Sequence, residues 1–359
     1  MTLTIAPPFQ SRVRHQEPMS QHTSWRAGGP AECFFTPRDV EDLAAFLPTL
    51  PPETPITWVG LGSNLLVRAG GLRGVVICTH GVFTRLERRS QNRVYCEAGV
   101  PCARIARQCV RWGLAAAEFF SGIPGTMGGA LAMNAGAYGG ETWRHVVSVE
   151  TIDRSGRRHE RAAAQFEIGY RHVRMPVTPE WFLSAELEFQ ATGAGIAATS
   201  VAAIDVAAAG VAASGAATGG AVTGGAAGAA AGTGGAGVAP AAGMVALSIR
   251  EQAARRKLTQ PLGEWSCGSV FKNPSGDHAA RLIEAAGLKG HRIGDAVVSD
   301  KHANFILNLG AASPADLEAL VLHVQSEVQR VHGVALEPEV RIVGEPATVE
   351  SSHDAGGHA

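Results

Sequence analysis

The chain has 359 residues, a formal net charge of −1 at pH 7 and 45% hydrophobic residues, so it is long enough for two or three domains with cores of their own. The near-zero charge argues against a nucleic-acid-binding protein. No apolar run reaches the roughly eighteen residues of a membrane span, and the first residues show neither region of a secretory signal, so we expect a cytoplasmic protein.

The first predicted elements alternate between helix and strand patterns. Asp39 is placed to cap a helix over DVEDLAAFL, whose apolar residues Leu43, Phe46 and Leu47 share one face. Strand-like runs follow at Gly74–Thr79, Arg93–Ala98 and Val147–Ile152. This alternation predicts an α/β organisation.

A second helix is expected between a proline and a glycine. Pro101 begins it, it continues through Arg111, and Gly113 closes it, because proline favours the first turn and glycine the residue after the last. The next segment, AAAEFF at 115–120, is predicted as a strand.

Residues 181–189 alternate with a period of two, which predicts a strand with one buried face. The side chains expected inside are Trp181, Leu183, Ala185, Leu187 and Phe189; those expected outside are Phe182, Ser184, Glu186 and Glu188.

A low-complexity insert, Gly193–Gly243, follows this strand and holds 14 of the 44 glycines and a single charge, Asp205. Because it has no large side chains to bury, we expect a mobile surface segment, with an Ala-rich helix over Ile196–Ala213 as the alternative. After it, Ser313-Pro314 is predicted to cap a long helix that ends at Gly333. Its apolar residues are Leu317, Leu320, Val321, Val324, Val328 and Val331.

The six cysteines show no C-x-x-C spacing, so reduced, buried thiols are expected and no metal site is predicted. They are Cys33, Cys78, Cys96, Cys102, Cys109 and Cys267.

The remaining glycines are concentrated in two loops beside apolar strands. In Val59–Val67, VGLGSNLLV, glycines with Ser63 and Asn64 can present backbone N–H groups to a pyrophosphate, although a tight hairpin without a ligand would have the same sequence. Residues 121–140 form a second loop with seven glycines, Thr126 and Asn134. Together the two loops favour a bound dinucleotide, but neither has a Rossmann fingerprint.

At this point six segments resemble the UDP-N-acetylenolpyruvoylglucosamine reductase (MurB) family. They include GIPGTMGGALAMNAGAYGGE and CGSVFKNP, and they cover almost the whole chain apart from the insert and tails. The six are Thr23–Ala31, Gly60–Ile77, Gly122–Glu141, Arg255–Pro274, Gly287–Asn308 and Leu336–Glu345.

The resemblance implies an α+β architecture. An FAD-binding domain of the PCMH or vanillyl-alcohol-oxidase type, in two α/β subdomains, is followed by a C-terminal α/β lobe that binds substrate. The implied boundaries are a flexible tail (1–18), the FAD domain (19–191, divided at about residue 78), the insert (192–245), the C-terminal domain (246–345) and a second tail (346–359).

The same resemblance implies non-covalent FAD, with NADPH as the electron donor and a UDP-sugar enolpyruvyl ether as the substrate. The residues that carry over to the cofactor are Gly60, Gly62, Ser63, Asn64, Leu65, Gly122, Pro124, Gly125, Thr126, Gly128, Gly129, Asn134, Gly136 and Ala137. A monomer without nucleic-acid or membrane partners is expected.

The implied reaction transfers hydride from flavin N5 to the vinyl carbon and leaves an enolate, which needs fixed positive or donor groups and one proton source. By resemblance, Arg171 and Glu339 stabilise the enolate and Ser269 donates the proton. Glu337 lies on the same strand face, so position alone does not choose between it and Glu339. Substrate contacts are expected from Tyr170, Lys257, Lys272 and Asn273.

The chain departs from the family motif beside Arg171. Val173 and Met175 stand where serine and an aromatic residue are usual, which puts the local support of Arg171 in doubt. Two alternatives remain open: another flavin oxidoreductase of this fold, such as an alcohol or aldonolactone oxidase, and a flavin- or nucleotide-sugar-binding protein without catalytic activity.

Overall fold

A computed structural model describes residues 3–177, 179–191 and 248–347. The low-complexity insert, Gly193–Gly243, lies outside the described residues, and so do residues 348–359 of the predicted C-terminal tail. Short 3-10 helices occupy Pro7–Arg12, Met19–Gln21, Leu47–Thr49, Glu118–Gly122, Thr142–His145 and Ala163–Gln165.

The first part of the chain forms a four-stranded sheet. Its elements are β1 (Val13–Pro18), β2 (Pro30–Phe35), α1 (Val40–Phe46), β3 (Ile56–Val59), β4 (Leu65–Val67) and β5 (Leu72–Cys78). The strand order is β1-β2-β5-β3, with β1 antiparallel to β2 and with β5 parallel to both β2 and β3.

The predicted first helix is confirmed. The Asp42 N–H donates to the Asp39 carboxylate at 2.7 Å, which caps α1. Leu43, Phe46 and Leu47 are fully buried, as their shared face requires.

The flexible tail predicted over residues 1–18 was wrong for the described residues. Val13–Pro18 is a strand paired with β2, and the Phe9 ring packs edge-on against Phe35 and Phe46. The tail is ordered because it covers this aromatic cluster, a long-range contact that its polar composition does not reveal.

The second part forms a five-stranded antiparallel sheet. Its elements are β6 (Leu86–Arg88), β7 (Arg93–Glu97), α2 (Cys102–Arg111), β8 (Leu114–Ala115), α3 (Met127–Met133), β9 (Gly136–Ala137), β10 (Gly140–Glu141), β11 (Val146–Asp153), β12 (Arg158–Ala162), β13 (Glu167–Gly169), β14 (His172–Arg174), β15 (Glu180–Glu188) and β16 (Gln190–Ala191). The strand order is β12-β11-β15-β7-β6. The strand predicted at 74–79, which is β5 of the first sheet, is confirmed within two residues. The strands predicted at 93–98 and 147–152 and the second helix are confirmed within one residue.

Two predictions in this part were wrong. β15 is buried on both faces over most of its length, because it is the central strand and Phe182 packs with Trp143 and Phe166 on the face expected to meet solvent. The AAAEFF segment is mostly a 3-10 helix over Glu118–Gly122, and the predicted loop at 121–140 contains the two-turn helix α3.

The C-terminal part has a smaller antiparallel sheet. Its elements are α4 (Ile249–Thr259), β17 (Trp265–Ser266), α5 (Ala279–Ala285), β18 (Arg292–Ile293), β19 (Ala296–Val298), β20 (Ile306–Asn308), α6 (Pro314–His332) and β21 (Arg341–Val343). The long helix α6 is confirmed, with its Ser313 cap and a left-handed Gly333 after its last residue. Val331, which was expected on its apolar face, is exposed.

The last strand returns to the first part of the molecule. β21 pairs in parallel with β4, and Trp25 lies in the apolar core of the C-terminal part, where its indole N–H donates to the Ile306 carbonyl at 2.8 Å. These contacts join the C-terminal part to the first part of the molecule. The domain boundaries stay a prediction. No helix in the described ranges is long and apolar enough to cross a membrane.

Candidate active site

The loop between β3 and β4 presents unused backbone donors. Gly62 has φ +64°, and a Cβ built there would lie 1.9 Å from the His22 carbonyl oxygen, so only glycine fits. The N–H groups of Gly62, Ser63 and Asn64 donate to no other described residue. Successive free N–H groups of this kind form a binding surface for a pyrophosphate.

The two glycine-rich loops touch each other. The Ser63 hydroxyl donates to the Pro124 carbonyl, and a Cβ at Gly60 would lie 2.6 Å from Thr126 Oγ1. By contrast, a Cβ at Gly129, in the first turn of α3, would meet no atom within 4 Å. The loops therefore enclose free donors and open space, and these residues fit the FAD that the sequence predicts.

The side chain of Asn134, a predicted cofactor residue, forms hydrogen bonds to other protein groups instead. It is buried in a left-handed conformation after α3, and its amide donates to Glu141 Oε2 at 3.3 Å and to the Gly169 carbonyl at 3.0 Å. Its oxygen accepts the Trp143 N–H at 3.1 Å. Both side-chain donors of Asn134 are therefore already occupied.

Arg171 lies at the tip of the β13–β14 hairpin, where Tyr170 and Arg171 form the two-residue turn. Its φ is +53°, a left-handed conformation that costs free energy in a residue with a side chain. The conformation directs the guanidinium toward the second glycine-rich loop, where Nη2 donates to the Gly136 carbonyl at 3.0 Å.

Glu339 faces Arg171 from the segment before β21. The Arg171 Nε atom is 3.0 Å from Glu339 Oε1, but its N–H is not directed at a hydrogen-bond acceptor, so the contact is an ion pair without an aligned hydrogen bond. Burial raises the pKa of Glu339, and the charges of Arg171 and Lys272 oppose that rise. The backbone of Glu339 is held by a 2.7 Å hydrogen bond from its N–H to the Val270 carbonyl.

Arg171, Lys272 and Glu339 line one cleft of about 260 Å³, although their sequence positions span 168 residues. The other lining residues are Ala132, Met133, His172, Val173, Pro338, Val340 and Arg341. Val173, the residue that replaces the usual serine, thus contributes to the cleft wall and packs against the core of the second sheet.

Sequence reasoning missed Met133 and Arg341. The alternation of a strand places Arg341 on the same face as Glu339, so this signal was present in the sequence. Of the two candidate glutamates, Glu339 is the less exposed, with 14% of its side chain accessible, whereas Glu337 is exposed and forms an ion pair with Lys272.

Ser269 is not among the described residues that line the cleft, although it directly precedes Val270, whose carbonyl accepts the Glu339 N–H. Its side chain is half-buried, and its hydroxyl makes no hydrogen bond with the described residues. On the other side of Ser269, burial and then the charge of Glu339 raise the pKa of the Cys267 thiol. All six cysteines are free and buried, as predicted.

Three predicted substrate residues lie outside the cleft lining. Tyr170 is 53% exposed. The exposed Lys257 offers its carbonyl to Lys301 Nζ at 2.5 Å, and Asn273 Oδ1 accepts the Ala279 N–H at the start of α5. Lys272 alone of the four lysines lines the cleft.

Comparisons with known proteins agree with this geometry. Residues 260–343 match the sequence model of the UDP-N-acetylenolpyruvoylglucosamine reductase C-terminal domain, and residues 31–161 match that of an FAD binding domain. The UDP-N-acetylenolpyruvoylglucosamine reductases of Alkalilimnicola ehrlichii and Methylococcus capsulatus are 50% and 48% identical to this chain. The alignments cover 93% of this chain and 95% of the first relative, and 95% of this chain and 96% of the second.

A solved structure extends the similarity to the fold. The crystal structure of UDP-N-acetylenolpyruvylglucosamine reductase (MurB) from Thermus caldophilus is similar with a TM-score of 0.66 at 26% identity, covering 95% of this chain and 99% of that one. On the sequence, the fold and the site, this chain belongs to the UDP-N-acetylenolpyruvoylglucosamine reductase family.

Proposed function

We propose how the residues of this FAD-dependent reductase carry out its reaction. The chain uses NADPH to reduce the enolpyruvyl ether of UDP-N-acetylglucosamine-enolpyruvate to the lactyl ether of UDP-N-acetylmuramate, a step of peptidoglycan precursor synthesis. The observation that carries the assignment of roles is the Arg171–Glu339 ion pair, which lies in a cleft with a third charge, Lys272.

The cofactor is held chiefly by backbone groups in this proposal. The free N–H groups of Gly62, Ser63 and Asn64 bind the pyrophosphate, and the open space beside Gly129 admits the cofactor at the first turn of α3. Bound FAD would supply the hydride for the terminal vinyl carbon of the substrate, with NADPH as its source.

Arg171 binds the substrate carboxylate and stabilises the negative charge that develops on it. A planar, permanently charged guanidinium suits a carboxylate that becomes an enolate. Its contact with Glu339 leaves the Nε N–H without an aligned hydrogen bond to a described residue, so the guanidinium is not fixed in a bidentate pair. Lys272 adds a second positive charge that acts on Glu339.

In this proposal Glu339 donates a hydrogen bond to the enolate and Ser269 donates the proton. Glu339 donates from its protonated form, and burial raises the pKa of Glu339 in the direction that this role requires. The Ser269 hydroxyl then delivers a proton to the carbon that bears the ether oxygen, so that one hydride and one proton have been added across the double bond. Both groups sit on segments fixed by the Glu339 N–H to Val270 hydrogen bond.

Anaerobic spectroscopy of the purified holoenzyme tests this function. We expect a yellow protein whose flavin absorbance is bleached by NADPH and restored when the enolpyruvyl UDP-sugar is added. A protein that binds no FAD, or a reduced flavin that the UDP-sugar leaves bleached, would contradict the proposal. Rapid oxygen-coupled turnover of simple alcohols would instead favour an oxidase of the same fold.

We also propose that the enzyme works as a monomer in the cytoplasm with small molecules as its partners. Six free, buried thiols support a reducing compartment.

A further inference from the structure

The side chain of Asn64 turns away from the free backbone donors of its own loop. Its amide nitrogen donates to the Glu339 carbonyl at 3.0 Å and to Met133 Sδ at 2.9 Å. Its backbone carbonyl accepts the Arg341 N–H at 3.1 Å. Asn64 thus joins the first glycine-rich loop to the end of α3 and to the segment Glu339–Arg341.

We propose that Asn64 is a positioning residue that sets the location of the Glu339 carboxylate relative to the cofactor. Its backbone N–H belongs to the proposed pyrophosphate surface, while its side chain holds the backbone of Glu339 275 residues away. The inference rests on the catalytic role proposed above for Glu339.

The geometry explains why this single contact matters. Glu339 lies just before the parallel pairing of β21 with β4, and its N–H is already fixed by the Val270 carbonyl. The Asn64 amide fixes the carbonyl on the other side of the same residue, so the backbone of Glu339 is held at both its N–H and its C=O. Both side-chain N–H groups of Asn64 are used, which fixes the orientation of the amide.

The prediction concerns one half-reaction. Asn64→Ala keeps every backbone N–H, so the holoenzyme should retain FAD, and flavin reduction by NADPH should stay within about threefold of the wild-type rate. Reoxidation by the enolpyruvyl UDP-sugar should slow by about 10- to 100-fold, because a displacement of the order of 1 Å has that cost. Its pH profile should also shift toward the ordinary glutamate range as the carboxylate gains access to water.

Three companion variants make the stopped-flow experiment decisive. Asn64→Asp preserves the size of the side chain but removes its donors, and should repeat the selective defect. Glu318→Gln breaks the ion pair between Arg68 and Glu318, which joins β4 to the C-terminal part away from Glu339, and should leave both half-reactions and the pH profile unchanged. Glu339→Ala removes the carboxyl group and tests the proposed catalytic role itself.

The outcomes separate the two proposals. If Glu339→Ala does not slow reoxidation, the proposed role of Glu339 fails. If Glu339→Ala is slow but both Asn64 variants match the wild type, or slow both half-reactions equally, the positioning role is overturned. Loss of FAD from both Asn64 variants would assign the side chain to the cofactor and would also overturn it.

Discussion

Two arginine–glutamate pairs connect the C-terminal part to the rest of the molecule, Arg68–Glu318 from the first part and Arg171–Glu339 from the second, and they differ in how the arginine is used. Arg68 donates from Nε and Nη2 to both oxygens of Glu318, and its Nη1 donates to the Gly344 carbonyl at 3.4 Å. Arg171 meets Glu339 only through an unaligned 3.0 Å contact.

This contrast supports a structural role for the Arg68–Glu318 pair and the proposed catalytic role for Arg171. A guanidinium held in a bidentate pair with one carboxylate stabilises a joint, whereas the Arg171 guanidinium makes no such pair with Glu339 and lines the cleft. The backbone is consistent with this contrast, since Arg171 is held in a strained left-handed turn beside the cofactor loop.

The largest expected effect tests whether Ser269 is the proton donor of the site that contains Arg171. In Ser269→Ala, flavin reduction by NADPH should survive, but reoxidation by the enolpyruvyl UDP-sugar should slow by about 10²- to 10⁴-fold, the usual contribution of a positioned proton donor. Single-turnover spectroscopy measures both rates. Ser266→Ala, in the neighbouring strand β17, is the matched control; equal losses in both half-reactions would remove Ser269 from this role.

A smaller effect should follow from removing the second cation of the cleft. In Lys272→Met we expect KM for the UDP-sugar to rise about tenfold, since a hydrogen bond to a charged group is lost. The positive charge of Lys272 lowers the pKa of Glu339, so its removal raises that pKa. If protonated Glu339 is the active form, as proposed, the activity present below this pKa is lost at a higher pH in the variant than in the wild type.

Steady-state pH profiles measure this shift. Lys289→Met, which removes a lysine paired with Glu284 outside the cleft, is the control and should leave the alkaline limb in place. A limb that moves to lower pH in Lys272→Met would show that Glu339 does not act in its protonated form.

The smallest effect concerns the structural pair. Glu318→Gln should lower the free energy of unfolding by about 1 kcal/mol or less, because the pair is partly exposed, and kcat should stay within about twofold. Chemical denaturation of the holoenzyme and a standard turnover assay check the two parts. A large loss of activity without a loss of stability would contradict the assignment of this pair to the joint.

Local signals in the sequence predicted α1, α2 and α6 but not α3. The Asp39 and Ser313 caps and the left-handed Gly333 are determined by neighbouring residues, so α1 and α6 could be placed from sequence alone. The strand β1 and the second buried face of β15 could not, because both depend on side chains that are distant in sequence, such as Phe35 and Phe166.

The site shows the same limit. The resemblance identified Arg171, Lys272 and Glu339, which the structure brings into one cleft. It gave no indication that the Asn134 amide would donate to Glu141 and Gly169 inside the protein. Nor did it indicate that Asn64 would reach Glu339, a contact that lies beside the pairing of β21 with β4.

The most direct test compares the two arginines in the same half-reaction. In Arg171→Lys holoenzyme we predict that flavin reoxidation by the enolpyruvyl UDP-sugar slows by about 10²- to 10³-fold, because a lysine cannot present the planar donor pair to the developing enolate. Arg68→Lys should reoxidise within about threefold of the wild-type rate. Equal reoxidation rates in the two variants would contradict the proposed role of Arg171.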